Sequence, residues 1–161
     1  MGYLARNLAQ LYPDVGGAEA ALLHQAFDRT RFVYLHRGDT LAQAVSWLRA
    51  EQTNVWFETP LGEPGRPERE PRFDRDQIGD LIQTIAEHNA AWQEWFASAG
   101  VRPLSLAYEE LDGDAVGTTR AVLDFLGLEP PPGLEIVPQH RRLADSLNEQ
   151  WADRYRRGQP S

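Results

Sequence analysis

No lysine and no cysteine occurs among the 161 residues of the chain. The first absence excludes a P-loop lysine, a Schiff-base lysine or any other catalytic side-chain amine within it. Arginine supplies all 16 of its positive side chains. The second absence removes disulfides, thiolate metal sites and cysteine nucleophiles. Also missing are an apolar run of the ~18 residues a membrane span needs, a signal-type apolar segment after Met1 and any internal repeat, so a soluble cytoplasmic protein is expected. Positive charge is scarce as well. Against 24 acidic residues the 16 arginines leave a formal charge of −8, which argues against a general nucleic-acid or anionic-membrane binder. An anionic ligand then has to be held by a local cluster of positive groups.

What is present suffices for a core. Hydrophobic residues make up 42% of the chain, with five Trp, six Phe and five Tyr, and the length suits one domain spanning 1–161. Tyr3, Leu4, Leu8 and Leu11 read as a helix over Gly2 to Tyr12. A second helix over Ala18 to Phe27 faces a core through Ala21, Leu22 and Phe27. Phe32 to Leu35 is a β-branched and aromatic run suited to a buried strand. Leu41, Ala44, Val45 and Leu48 then recur at helical spacing and predict a helix from about Leu41 to Gln52. Its start is marked twice: Thr40 and Gln43 have capping-box spacing, and Asp39 is an alternative N-cap. Either choice leaves free backbone N–H groups at that end.

Four prolines between Thr59 and Asp74 predict a mobile surface loop, a lid or a linker. A long helix follows, with Ile78, Leu81, Ile82, Ile85, Trp92, Trp95 and Phe96 on one side and Gly100 beyond its end. Pro103 to Ala107 reads as a strand, and a helix-length connection between two strands favours parallel pairing. Tyr108, Glu109 and Glu110 follow that strand, where sites of α/β proteins lie. The turn Asp112-Gly113-Asp114 starts a helix capped by Gly127, and Leu143, Leu147, Trp151 and Tyr155 mark a last one.

The chemistry gathers at Arg37-Gly38-Asp39, where the first strand hands over to its helix. Asp39, Gln43, Ser46 and Ala50 share one face of that helix, offset from the apolar stripe. A guanidinium at the strand end, a hydroxyl up the helix and the helix N-terminal dipole make a seat for a phosphate. An ordinary reading is open too: Arg37 paired with Asp39 or Asp28, and Ser46 a plain helix serine. Trp56 reads as core or as the wall of a cleft. His36 reads as structural, and His88, in register with Leu81, Ile85 and Trp92, as a core histidine. His24 and His140 have no partner at metal spacing, so no metal is expected. An adhesion role for the Arg-Gly-Asp triplet would need an exposed extracellular loop.

The segment HRGDTLAQAVSWLRAEQTNVW resembles the 3′-phosphate-binding segment of bacterial sulfotransferases of the trehalose sulfotransferase family, which use 3′-phosphoadenosine 5′-phosphosulfate (PAPS). Three further blocks resemble that family in the same order: AAWQEWFASAG, AYEELDGDAVGTTRAVLDFLGL and RRLADSLNEQWADRYR. The resemblance implies an α/β fold, a partial P-loop-like three-layer sulfotransferase arrangement that is helix-rich, with a short parallel sheet. It puts the family's arginine on Arg37 and its helix serine on Ser46, both for the 3′-phosphate. Arg141 or Arg142 becomes a second phosphate clamp. Gln52, Thr53 and Trp56 match an ending that lines a sugar cleft, and the resemblance makes Tyr108-Glu109-Glu110-Leu111 structural packing and helix entry. PAPS as donor and a carbohydrate acceptor, trehalose or a related glycoside, follow as expected partners, without nucleic acid.

One departure stands out. The family grips the 5′-phosphosulfate with an N-terminal strand-loop-helix rich in Gly, Ser and Arg and carries its proposed base just after it, whereas Met1 here opens into what resembles the next helix. The resemblance therefore implies a chain without the donor-loop strand and without activity by itself. The alternative is a non-catalytic nucleotide-binding or interaction module on the same fold. An exposed sheet edge would invite pairing, including as a homodimer.

Overall fold

The computed structural model describes residues 7, 10–11, 19–56, 69–137 and 146–158. Helix α1 (Glu19–Phe27) leads to strand β1 (Val33–His36) and helix α2 (Thr40–Thr53); helix α3 (Arg75–Ser98) leads to strand β2 (Leu104–Ala107). Helices α4 (Tyr108–Gly113), α5 (Ala115–Leu126) and α6 (Ser146–Arg157) follow. This is a helix-rich α/β arrangement around a two-stranded parallel sheet. Val33 lies opposite Leu104 and His36 opposite Ala107. The two strands therefore end side by side, and the segments that leave them are neighbours.

Local chemistry sets the helix ends. The Asp39 carboxylate accepts the Ala42 N–H at 2.9 Å, so Asp39, rather than Thr40, caps α2. Asp74 caps α3 by accepting from Gln77 N–H at 3.0 Å, and Asp114 caps α5 by accepting from Gly117 N–H at 2.8 Å. Gly127, at φ 69°, ends α5 in the left-handed conformation that glycine adopts without a Cβ clash. The expected helix over Gly2 to Tyr12 (apart from residues 7, 10 and 11), Leu143, and residues 59–68 of the expected proline loop lie outside the described residues.

The main core joins three helices. Ala44, Val45 and Leu48 of α2 meet Ile78 and Ile85 of α3 and Trp151 of α6, flanked by Phe73, Leu81, Ile82, Leu147 and Tyr155. Burying a side chain such as Leu48 or Ile78 contributes about 1.5–3 kcal/mol. Arg75 fastens α6 to the start of α3: its Nη2 donates to the carbonyls of Arg154 and Tyr155, which a helix C-terminus leaves open. Its guanidinium also lies 4.6 Å from the Tyr155 ring centroid.

Three expectations are corrected. β1 is not buried on both faces: Tyr34 is buried, yet Val33 is 41% and Leu35 51% exposed, because successive side chains of a strand point to opposite sides. His88 is exposed rather than a core histidine. It lies with Trp92, itself exposed, and Trp95 around a shallow hollow of about 220 Å³, because the buried stripe of α3 runs through Ile78, Ile85 and Phe96. Phe27 is also exposed, since α1 buries Ala20, Leu22 and Leu23 instead.

Candidate functional site

The adjoining ends of β1 and β2 bring Arg37-Gly38-Asp39 against Tyr108-Glu109. The Glu109 carboxylate spans the turn: Oε2 accepts the Gly38 N–H at 3.1 Å and Oε1 the Asp39 N–H at 3.3 Å. Those bonds, with that of Gly38 the largest cause, and the charge of Arg37 hold the carboxyl below its ordinary value. Arg37 places its guanidinium carbon 3.9 Å from the Tyr108 ring centroid, a cation–π contact. Its partner is thus neither Asp39 nor Asp28. Asp39 instead pairs with Arg156 of α6 at 3.8 Å, an exposed pair of small energetic weight.

Part of the expected anion seat is therefore already taken by an anion. Glu109 holds the N–H groups of Gly38 and Asp39, and the Asp39 side chain holds that of Ala42. The N–H groups of Thr40 and Leu41 remain without a partner among the described residues. They lie at the positive end of the α2 dipole, beside Arg37.

Further along α2, Ser46 is half-buried, and its hydroxyl makes no hydrogen bond among the described residues. One turn nearer the N-terminus, Gln43 Oε1 is buried without a hydrogen-bond partner among the described residues. A buried acceptor left unmet is costly, and an incoming donor group would meet it. Sequence reasoning placed Gln43 on this face and offered it only as the capping-box partner of Thr40, a cap that Asp39 supplies instead.

The residues expected at a sugar cleft are not brought together. The Gln52 amide forms a two-bond bridge to the backbone of Arg72, Nε2 donating to its carbonyl at 3.1 Å and Oε1 accepting its N–H at 2.7 Å. Thr53 is buried, donating to the Arg49 carbonyl at 2.7 Å. Trp56 is 54% exposed. A hollow of about 500 Å³ does open beside Gln52, lined by Arg69, Glu70, Pro71 and Arg72. Arg141 and Arg142 lie outside the described residues.

The family model of Stf0 sulphotransferase matches residues 1–158. The chain belongs to that family. It is 33% identical over 160 residues to the trehalose 2-sulfotransferase of Mycobacterium tuberculosis (strain ATCC 35801 / TMC 107 / Erdman), covering 98% of this chain and 57% of that protein. It is 32% identical over 144 residues to the trehalose 2-sulfotransferase of Mycolicibacterium smegmatis, covering 89% of this chain and 48% of that protein. The chain thus spans about half the length of these two Stf0 relatives. No described helix is long and apolar enough to cross a membrane. Nor do the described residues place three or more His, Asp or Glu where they could hold a metal ion.

Proposed function

We propose that this chain forms the 3′-phosphate-binding part of a cytoplasmic sulfotransferase that moves a sulfuryl group from PAPS to a hydroxyl of trehalose or a related glycoside. The observation that carries this reading is the cluster at the α2 N-terminus: Arg37 held on Tyr108, with the N–H groups of Thr40 and Leu41, unpartnered among the described residues, beside it. These groups suit one phosphate. The Ser46 hydroxyl, two turns along the same helix, would donate a further bond, and Arg141 or Arg142 would close over it.

When bound, PAPS would bring the sulfuryl group itself. The residues of this chain would bind and orient the nucleotide by its 3′-phosphate, and Gln52 and Trp56 would border the acceptor at the far end of α2. Transfer also needs donors on the oxygens around the leaving phosphosulfate and a base near the acceptor hydroxyl. We assign neither to a residue of this chain, so the chain by itself is expected to transfer nothing.

A second reading, a nucleotide-binding or interaction module without transferase activity, is favoured by Glu109, whose carboxylate already occupies two N–H groups of the turn. Calorimetry with adenosine 3′,5′-bisphosphate against 5′-AMP tests the first reading at its root. Clear preference for the bisphosphate is expected, and equal affinity for the two overturns it. A sulfate-transfer assay, run on the chain alone and on the chain joined to a donor-loop segment of the family, then separates enzyme from module.

A further inference from the structure

At the opposite end of the strand pair lies a hollow of about 700 Å³, within the size range of small-molecule sites. It is walled by the connection from α1 into β1, the connection from α3 into β2, and Phe125 of α5. Arg29, Arg31 and Arg102 all line it, with Asp28 as the one acidic residue of its described lining. In a chain of net charge −8 this is a local reversal of sign. None of the three arginines takes part in an ion pair among the described residues.

The lining is also two-natured. Phe32, Phe125 and Val101 give it apolar wall, while the arginines give it positive charge. The Arg31 guanidinium lies 5.2 Å from the Phe125 ring centroid. Hydrogen bonds hold the backbone that carries these groups. Between Arg29 and Arg31, the Thr30 hydroxyl donates to the Leu23 carbonyl at 3.1 Å. On the other wall, Gly100 turns the chain at φ 63°, and the Val101 N–H donates back to the Phe96 carbonyl at 2.9 Å. The Leu104 N–H donates to the Phe32 carbonyl at 2.9 Å and ties the walls together.

We propose that this hollow is a second binding site, for an amphiphilic anion: a sulfate or carboxylate head held by Arg29, Arg31 and Arg102, with an apolar tail against Phe32 and Phe125. It stands apart from the Arg37 cluster, a strand length of roughly 13 Å away, and does not depend on the nucleotide reading.

The test is calorimetry on the whole chain with octyl sulfate below its micelle concentration, octanoate, inorganic sulfate and octyl glucoside. Octyl sulfate and octanoate are expected to bind, and their ratio reports which head the arginines prefer. Arg29→Ala and Arg102→Ala, both at exposed positions, should each weaken them about tenfold with unchanged thermal unfolding, while Arg37→Ala leaves them unchanged. Ring signals of Phe32 and Phe125 should shift in NMR spectra on titration. Inorganic sulfate binding as tightly as octyl sulfate, loss of binding through Arg37→Ala alone, or tighter binding of a hexaglutamate peptide would each overturn the proposal.

Discussion

Glu109 and Gly38, 71 residues apart, are joined by a 3.1 Å hydrogen bond from the Gly38 N–H to the Glu109 carboxylate. Through it the segment after β2 braces the turn after β1. Because that bond and its neighbour favour the ionised form, the folded carboxyl titrates below its ordinary value of 4.5. Its stabilising contribution is therefore complete above that value and is lost as pH falls through the lowered folded one. In thermal unfolding followed from about pH 7 to about pH 3, wild type should exceed Glu109→Gln in stability at neutral pH, and the gap should close in acid. A gap that stays constant would contradict this account.

The same substitution reports on the phosphate seat. Removing a negative charge beside Arg37 should strengthen binding of adenosine 3′,5′-bisphosphate by about two- to tenfold at low salt, with the gain shrinking as salt screens it. Weaker binding by Glu109→Gln would instead make the carboxylate a necessary brace for the ligand-bound turn.

Arg37→Ala removes a charge-assisted hydrogen bond and should cost roughly 1.5–3 kcal/mol of that binding. Ser46→Ala, which loses one neutral hydroxyl, should cost only about 0.5–1.5 kcal/mol. It should leave unfolding unaffected, alanine being the better helix former. Calorimetry with each variant checks the order, and a marked fall in melting temperature for Ser46→Ala would place its hydroxyl in a structural bond.

Gln52 has two competing uses, and they separate experimentally. As the bridge to Arg72 it contributes to stability, so Gln52→Ala should lower unfolding free energy by about 1 kcal/mol. If it also borders the acceptor, the variant made in a donor-loop-completed protein should raise the KM for the sugar. An unchanged KM leaves Gln52 as a bridge alone.

The core prediction is the bluntest. Leu48→Ala empties a fully buried position where α2, α3 and α6 meet and should cost about 2–5 kcal/mol, measurable by urea unfolding. A cost below about 1 kcal/mol would mean that this site collapses around the missing atoms.

Much of this was legible in the sequence because it is local. Helical spacing located α2, α3, α5 and α6, and Asp39, Gly100 and Gly127 marked their ends. Parallel pairing followed from the helix between the strands. What stayed hidden depends on residues distant in sequence. The apolar run from Phe32 to Leu35 carries no sign that its second face lacks cover, and His88 fits an apolar register on a helix whose buried stripe lies elsewhere. Tyr108 and Glu109 stand directly after the second of two parallel strands, where α/β sites lie and where neighbouring strands deliver their exits to the same spot, but the family resemblance turned them into packing and helix entry. The residues themselves put Arg37 and Ser46 beside a helix N-terminus, and the family resemblance chose the phosphate seat over the ordinary reading. It could not foretell that a carboxylate of the chain itself would take the N–H groups of Gly38 and Asp39.

Parallel pairing of β1 with β2 also bears on the order in which the molecule assembles. No tight turn can join such strands, so their register forms only after the chain between them has been drawn into a closed loop, a slow event compared with helix formation. The α2–α3 contact involves nearer neighbours and is expected to form early, with the strand pair zipping afterwards. Arg37, Tyr108 and Glu109 come together only in that late event. A slow refolding phase should therefore appear in any signal from the Arg37–Tyr108 contact after the helical signal has recovered, and a destabilised strand pair would leave a helical protein without its phosphate seat.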